Sequence, residues 1–152
     1  MEDLSKNTED PKTKLILVVD DDDSIRELLE FVLAKEGFKI DVAGDGHEAI
    51  KKVAAKMPHL ILLDLMLPSY GGFEVLRELQ AGETAKIPIV VLTGRFTDQS
   101  TSDMIKSESN VVEFLEKPVK PPFLVNLLHK ILKTRPKELK KDSGADSSWP
   151  AV

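Results

Sequence analysis

The stretch LILVVDDDDSIRELLEFVLAKEG, residues 15–37, decides the fold. It begins with an apolar run rich in β-branched residues, which favours a buried strand, and continues into four consecutive aspartates. After the aspartates, apolar residues recur at the spacing of one helix face, and Gly37 suits the end of that helix. Ser24 and Glu27 fit a capping box at its beginning. The stretch therefore predicts a strand and a helix joined by an acidic turn.

The same alternation of strand and helix continues along the chain. Further apolar runs lie at residues 38–43, 60–63, 87–92 and 111–115. Each run is followed by a helical pattern, which is weakest at 97–109, where Met104 and Ile105 are the apolar anchors. Parallel strands need crossovers that place helices on both faces of a sheet. The pattern therefore predicts an α/β fold with a doubly wound, parallel, five-stranded sheet.

Length and composition restrict the class of protein. The 152 residues suit one domain, and 41% hydrophobic with 31% charged residues is typical of a globular chain. No apolar run reaches the ~18 residues of a membrane span. The chain has no cysteine, which excludes disulfides, thiolate nucleophiles and Cys-ligated zinc. We therefore expect a cytoplasmic protein without a membrane span.

Polar segments bound the predicted domain. Residues 1–13 are polar and predict a flexible N-terminal arm, and residues 135–152 predict a flexible C-terminal tail. The folded domain is expected at 14–134. The net charge is −5, and the basic residues concentrate at 130–141, where they suit the end of a last helix. Because an acidic body lacks the clustered cations that phosphates require, we expect no direct contact with nucleic acid.

The ends of the predicted strands carry the chemistry, because ligands of parallel sheets bind beyond the carboxyl ends of the strands. The second strand ends in Ala43-Gly44 and offers no functional group. The other four strands end at carboxylates, a hydroxyl and an ammonium group. These are the run Asp20-Asp21-Asp22-Asp23, Asp64, Thr93 beside Gly94, and Lys117 beside Pro118.

Carboxylates brought this close repel one another unless a cation neutralises them. A hard divalent ion such as Mg²⁺, with Mn²⁺ as an alternative, suits an all-oxygen site. Asp64 could then act as a nucleophile toward phosphorus, while Lys117 and Thr93 hold phosphoryl oxygens and Gly94 leaves room for the group. Each residue also has a structural interpretation on its own: a helix N-terminus for the aspartate run, a turn for Asp64, a loop cap for Thr93 and a surface position for Lys117.

Four segments, in this order, resemble the landmarks of the receiver domain of two-component response regulators. They are VVDDDDSIRELL at 18–29, LILLDLMLP at 60–68, VVLTG at 90–94 and FLEKPVK at 114–120. The resemblance implies a flavodoxin-like (βα)5 fold with strand order 2-1-3-4-5. It also implies a Lys117–Pro118 bond that is often cis.

The resemblance also implies a role for each matching residue. Asp64 matches the phosphoacceptor, and Asp21 the acid that binds the metal. Asp20 matches the acid that holds a metal-bound water, and the backbone carbonyl of Met66 the third protein ligand. Thr93 matches the switch hydroxyl, and Phe114 the aromatic switch residue. Two bordering residues, Met66 and Arg95, are expected to shield the phosphoryl group and prolong its lifetime.

The implied function is that of a stand-alone receiver, which takes a phosphoryl group from a histidine kinase or a histidine phosphotransferase and switches its partner-binding face. Output is then expected through an unidentified protein or a phosphorylation-dependent homodimer. The chain is not expected to be an enzyme beyond Mg²⁺-dependent self-phosphorylation and autodephosphorylation. One alternative is a phosphorylation-independent docking module, which the unusual polar segment at 95–110 favours. A second, a phosphohydrolase resembling the haloacid dehalogenase group, would need an acid where Met66 stands.

Overall fold

The computed structural model describes residues 8–67, 71–94, 99–136 and 150–152. Within them, five parallel strands form one sheet in the order β2-β1-β3-β4-β5. The strands are β1 (Leu15–Val19), β2 (Lys39–Ala43), β3 (Leu60–Asp64), β4 (Ile89–Thr93) and β5 (Val111–Glu116). The predicted fold class and strand order are therefore confirmed.

Within the described part of the chain, five α-helices connect and cover the strands. They are α1 (Asp23–Lys35), α2 (Gly46–Lys56), α3 (Gly72–Glu78), α4 (Gln99–Lys106) and α5 (Pro121–Leu132). Leu29 and Leu33 of α1 share a buried cluster with Leu124 and Leu128 of α5 on one face of the sheet. Buried residues of α2, α3 and α4 form the second cluster on the other face. Strands β3 and β4 are buried throughout because helices cover both of their sides.

Local details differ from the sequence prediction at two helices. The side chain of Asp22, rather than Ser24, caps α1 by accepting the backbone N–H groups of Ser24 and Ile25. The predicted capping box is therefore wrong, because α1 begins at Asp23, so that Ser24 lies inside the first turn and the preceding Asp22 caps the helix. The weak fourth pattern does form a helix, α4, which is anchored by the buried Ile105 while Met104 lies 55% exposed.

Both described ends of the chain pack against the domain. Pro11 is buried in a short 3-10 helix, Pro11–Thr13, and Glu9 pairs with the segment after α5 through Lys133 and Arg135. At the other end, Val152 is buried against the segment after β5. Residues 9–13 and 152 thus make ordered contacts within segments predicted to be flexible, while residues 1–7 and 137–149 of those segments lie outside the described residues. Among the described helices, none is long and apolar enough to cross a membrane.

Candidate functional site

The carboxyl ends of four strands bring the candidate residues to one edge of the sheet. Asp20 directly follows β1, Asp64 ends β3, Thr93 ends β4 and Lys117 directly follows β5. Asp20, Asp64 and Thr93 are almost completely buried, with 2%, 5% and 1% of their surface exposed. Buried carboxylates need compensating partners, so their contacts determine what the site can do.

Lys117 is the cation that joins the two buried carboxylates. Its Nζ lies 2.8 Å from Asp20 Oδ2 and 3.3 Å from Asp64 Oδ2. The other oxygen of each carboxylate accepts a backbone N–H two residues further along: Asp22 N–H to Asp20 Oδ1 and Met66 N–H to Asp64 Oδ1, both at 2.9 Å. Both carboxylates are therefore held in fixed orientations by the chain that follows them.

The site also has the donor set of a hard cation. One carboxylate oxygen from each of Asp20, Asp21 and Asp64 lies within 4.8 Å of the others, and Asp21 is exposed to solvent. Mg²⁺ prefers oxygen ligands and usually keeps waters beside one or two carboxylates, so a partly open cluster of three carboxylates suits it. The residues present therefore fit such an ion.

Burial and nearby charges raise the pKa values of both central groups, Asp64 and Lys117, but for different reasons. Burial raises the pKa of Asp64 above its usual value, although the Met66 amide and the Lys117 charge oppose this effect. Burial would lower the pKa of Lys117, but the hydrogen bond and charge of Asp20, followed by those of Asp64, outweigh it and raise that pKa. Lys117 is therefore held as a cation beside the acceptor candidate.

The backbone of Asp64 lies against the beginning of α3. A Cβ atom on Gly72 would lie 2.4 Å from Leu65 Cα and 2.8 Å from Asp64 O, which is closer than real atoms approach. The Gly72 N–H also donates to Leu65 O at 3.3 Å. Position 72 must therefore remain glycine if the segment that carries Asp64 is to keep this position.

The remaining predicted residues lie around this centre or outside the described part of the chain. Met66 is 63% exposed beside Asp64, and Gly94 has open space next to it among the described residues. Phe114 of β5 is partly buried, and Lys106 Nζ of α4 lies 5.4 Å from the centroid of its ring. Arg95 lies outside the described residues.

Sequence reasoning missed two residues beside the site. Arg26 of α1 donates from Nη1 to Asp20 O at 2.7 Å, and its Cζ would lie 3.4 Å from a Cβ on Gly44. Gly44 follows β2, the strand end that was expected to offer nothing. The sequence carries a signal for Arg26 alone, since a basic residue about one turn into a helix can reach back to the preceding strand end.

Comparison with known proteins decides the family. The family model "Response regulator receiver domain" matches residues 16–129. The chain belongs to this family. Solved receiver domains share the fold: a putative response regulator from Chloroflexus aurantiacus has a TM-score of 0.69 at 31% identity, covering 78% of this chain and 97% of that one. A CheY-like receiver from Methanospirillum hungatei has a TM-score of 0.72 at 26% identity, covering 78% of this chain and 93% of that one.

Curated relatives of this receiver domain are longer proteins. The DNA-binding response regulator MtrA of Mycolicibacterium smegmatis is 45% identical over 117 residues, which are 76% of this chain and 49% of that protein. The alkaline phosphatase synthesis transcriptional regulatory protein PhoP of Bacillus subtilis is 38% identical over 71% of this chain and 44% of its own length. The chain spans about half the length of these relatives.

These relatives correct one prediction about partners. The expectation that this receiver works without nucleic acid is wrong, because its curated relatives include proteins named as DNA-binding and transcriptional regulators. The physical reason is that the acidic charge of a receiver domain indicates only what the surface of that domain can bind. It carries no information about nucleic acid that a longer protein contacts through another part.

Receiver domains bind Mg²⁺ at an acidic pocket, and in this structure Asp20, Asp21 and Asp64 form a cluster of acidic side chains. Membership of the receiver family does not favour the alternative of a phosphorylation-independent docking module. Receiver domains are also not enzymes in the ordinary sense, which agrees with the prediction.

Proposed function

We propose that Asp64 accepts a phosphoryl group from the phosphohistidine of a histidine kinase or a histidine phosphotransferase. The observation that carries the proposal is the contact of the buried Asp64 carboxylate with Lys117 at 3.3 Å, beside the carboxylates of Asp20 and Asp21. This arrangement provides a nucleophile, a fixed cation and a set of hard oxygen ligands within one small site.

The proposed step transfers phosphorus from nitrogen to oxygen. Asp64 Oδ1 is held by the Met66 amide, so Oδ2 is the oxygen that attacks phosphorus. The phosphorus–nitrogen bond breaks, its electron pair returns to the imidazole of the donor, and that nitrogen takes up a proton. The phosphoryl oxygens gain charge near Lys117 and the hydroxyl of Thr93, which stabilise them electrostatically.

The carboxylates of Asp20, Asp21 and Asp64, together with the Met66 carbonyl, would hold Mg²⁺ or, as an alternative, Mn²⁺. When bound, such an ion supplies positive charge that lets an anionic phosphoryl group approach the carboxylates. Lys117 then exchanges its contact with Asp64 for a phosphoryl oxygen. Lys117 would also leave Asp20 Oδ2 in this exchange, and the Asp22 N–H would then hold the Asp20 carboxylate through Oδ1.

Output follows from the charge that the acceptor gains. A phosphoryl group brings a charge of roughly −2 and strong acceptor oxygens. Thr93 would turn its hydroxyl toward these oxygens, and Phe114 would turn further inward, which changes the surface formed by α4, β5 and α5. Because Lys106 of α4 lies over the Phe114 ring, a rotation of Phe114 would also move α4. The change is a shift between two pre-existing states, which the added contacts favour unequally.

An intact-mass experiment tests the proposal. The full chain is incubated with Mg²⁺ and a small acyl or amido phosphate, and we expect it to gain one phosphoryl group. Asp64→Ala and chelation by EDTA should each abolish the gain, and Lys117→Met should slow it roughly a hundredfold. Asp45→Asn is the matched control, because Asp45 caps α2 outside the acidic cluster and asparagine caps equally well. A gain that persists in Asp64→Ala would refute the proposal.

The lifetime of the phosphoryl group is expected to depend on Met66 and Arg95. The Met66 side chain is 63% exposed beside the acceptor, where a bulky apolar group hinders an attacking water. We therefore expect Met66→Asn, which can orient a water, to lose the phosphoryl group several times faster than the unmodified chain. Decay of the phosphorylated mass after removal of the donor measures this, and equal decay rates would count against the shielding role.

A further inference from the structure

Arg26 connects helix α1 to the strand end that carries Asp20. Its Nη1 donates to the main-chain oxygen of Asp20 at 2.7 Å, and its Nη2 bonds the Asp23 carboxylate. The side chain is largely buried, with 20% of its surface exposed. The contact with Asp23 lies within α1 and orients the planar guanidinium group, while the contact with Asp20 joins the helix to the acidic turn.

Each polar group of Asp20 has a partner in this structure. Its N–H donates to Ala43 O at 3.1 Å, Oδ1 accepts the Asp22 N–H at 2.9 Å, and Oδ2 accepts Lys117 Nζ at 2.8 Å. Arg26 satisfies the remaining group, the carbonyl oxygen. Of these four contacts, the proposed function requires Lys117 to leave during phosphoryl transfer. The main-chain contacts must then keep the turn in position.

Gly44 provides the space in which the guanidinium group lies. A Cβ atom there would lie 3.1 Å from Arg26 Nη1 and 3.4 Å from Cζ, which is tighter than most real contacts. The ends of β1 and β2 and the first part of α1 therefore meet at this one side chain. A methyl group at position 44 would displace the Arg26 guanidinium group without removing its charge.

We propose that Arg26, supported by Gly44, is a positioning residue for the metal site. It holds the main chain at Asp20 so that the carboxylates of Asp20 and Asp21 stay arranged for Mg²⁺ while Lys117 changes partners. The inference rests on the proposed function and adds to it a residue that touches neither the metal nor the phosphoryl group.

Charge and geometry make opposite predictions for Arg26. A cation close to the acidic cluster repels Mg²⁺, so if charge alone mattered, removing it would strengthen Mg²⁺ binding. If Arg26 acts by holding the turn, removing it weakens binding. Arg26→Lys separates the two effects, because it keeps the charge and loses the planar two-point contact.

The test titrates the full chain with Mg²⁺ alone and follows the backbone amide signals of the acidic turn by NMR. We expect Arg26→Lys and Arg26→Met each to raise the dissociation constant about fivefold to tenfold. Gly44→Ala should raise it by a smaller factor. Lys51→Met, which removes an exposed cation of α2, is the matched control and should leave it unchanged.

Tighter Mg²⁺ binding by Arg26→Met, or an unchanged dissociation constant in Arg26→Lys, would overturn the proposal. A lower melting temperature with unchanged Mg²⁺ binding would also overturn it, because it would make the role purely structural. If the unmodified chain bound no Mg²⁺, the proposed function would fail together with this inference. If the unmodified chain bound Mg²⁺ and became phosphorylated while the Arg26 variants bound equally well, only the inference would fail.

Discussion

At the residue scale, Gly72 determines how closely α3 approaches the strand that ends in Asp64. The atoms that a side chain at 72 would meet belong to the backbone of Asp64 and Leu65, which cannot rotate away. We expect Gly72→Ala to lower the free energy of unfolding by about 3 kcal/mol, because overpacking here must move the backbone. Urea unfolding of the two proteins measures the difference.

Gly71 offers a matched control for this prediction. A Cβ atom at position 71 would meet Glu74 Oε2 at 2.9 Å, the far end of a flexible side chain that can move away. We expect Gly71→Ala to change stability by well under 1 kcal/mol. If Gly71→Ala and Gly72→Ala lowered the free energy of unfolding equally, the loss would come from the flexibility of the loop and not from the close contact at position 72.

The sequence could predict the site residues that stand at strand ends, but not those whose contacts join two separate elements. Asp64 and Lys117 stand at strand ends, so the rule for parallel sheets locates them without any knowledge of packing. Arg26 and Gly44 form their contact across two elements, and no local pattern encodes it. The predicted cap of α1 is wrong for a related reason: several neighbouring polar side chains could cap the helix, and only the geometry of the turn selects Asp22.

At the element scale, strand β2 is an edge of the sheet whose outer side is closed by side chains of α2. Asp41 Oδ1 accepts the Val42 N–H at 2.9 Å and lies 3.1 Å from Lys52 Nζ, while Lys52 donates to Val42 O at 2.5 Å. Lys56 Nζ lies 2.5 Å from Asp41 Oδ2. Both polar main-chain groups of Val42 are thus occupied, which protects this edge from pairing with another strand.

The Asp41 contacts predict a dependence of stability on pH. Burial would raise the pKa of Asp41, but the hydrogen bonds from Lys56, the Val42 amide and Lys52 outweigh it and place that pKa below its ordinary value of 3.8. A carboxyl with a lowered pKa stabilises the fold above its unfolded-state pKa, and this contribution is lost as pH falls through the folded-state pKa. We expect Asp41→Asn to cost about 1 kcal/mol at neutral pH.

Urea unfolding at pH 7 and at steps down to about pH 3 checks the Asp41 prediction. The difference in free energy of unfolding between the unmodified chain and Asp41→Asn should become smaller as the pH falls below 3.8, the ordinary pKa of an aspartate. The control is Glu83→Gln. The side chains of Glu83 and Lys86 are both more than four-fifths exposed, and Lys86 Nζ lies 3.9 Å from Glu83 Oε2. Such an exposed pair contributes little. A constant Asp41→Asn difference across the whole range would contradict the argument.

At the scale of the whole molecule, both described ends of the chain add to the face of the sheet covered by α1 and α5. Pro11 lies against Gly37 after α1, and Glu9 pairs with the chain that leaves α5. Val152 belongs to the buried cluster that contains Leu124 and Leu128. The sequence could not predict these additions, because short polar segments carry no periodic signal and their partners lie far away along the chain.

Val152 therefore predicts a long-range contribution to stability. Its N–H donates to Val119 O at 2.8 Å, its oxygen accepts the Val119 N–H at 2.5 Å, and its side chain is 4% exposed. We expect Val152→Asp to lower the free energy of unfolding by about 2 kcal/mol, because it places a charge among apolar side chains. Thermal or urea unfolding measures the loss.

Ala151→Asp is the control for Val152→Asp, since it introduces the same charge at an exposed neighbouring position. Equal losses in the two variants would assign the effect to net charge rather than to burial. Val119, which Val152 bonds, lies two residues after Lys117. If only Val152→Asp loses stability, we therefore expect a second effect, on phosphorylation. The segment that carries Lys117 would lose a support, and phosphorylation of Asp64 by a small phosphate donor should slow in Val152→Asp and remain normal in Ala151→Asp.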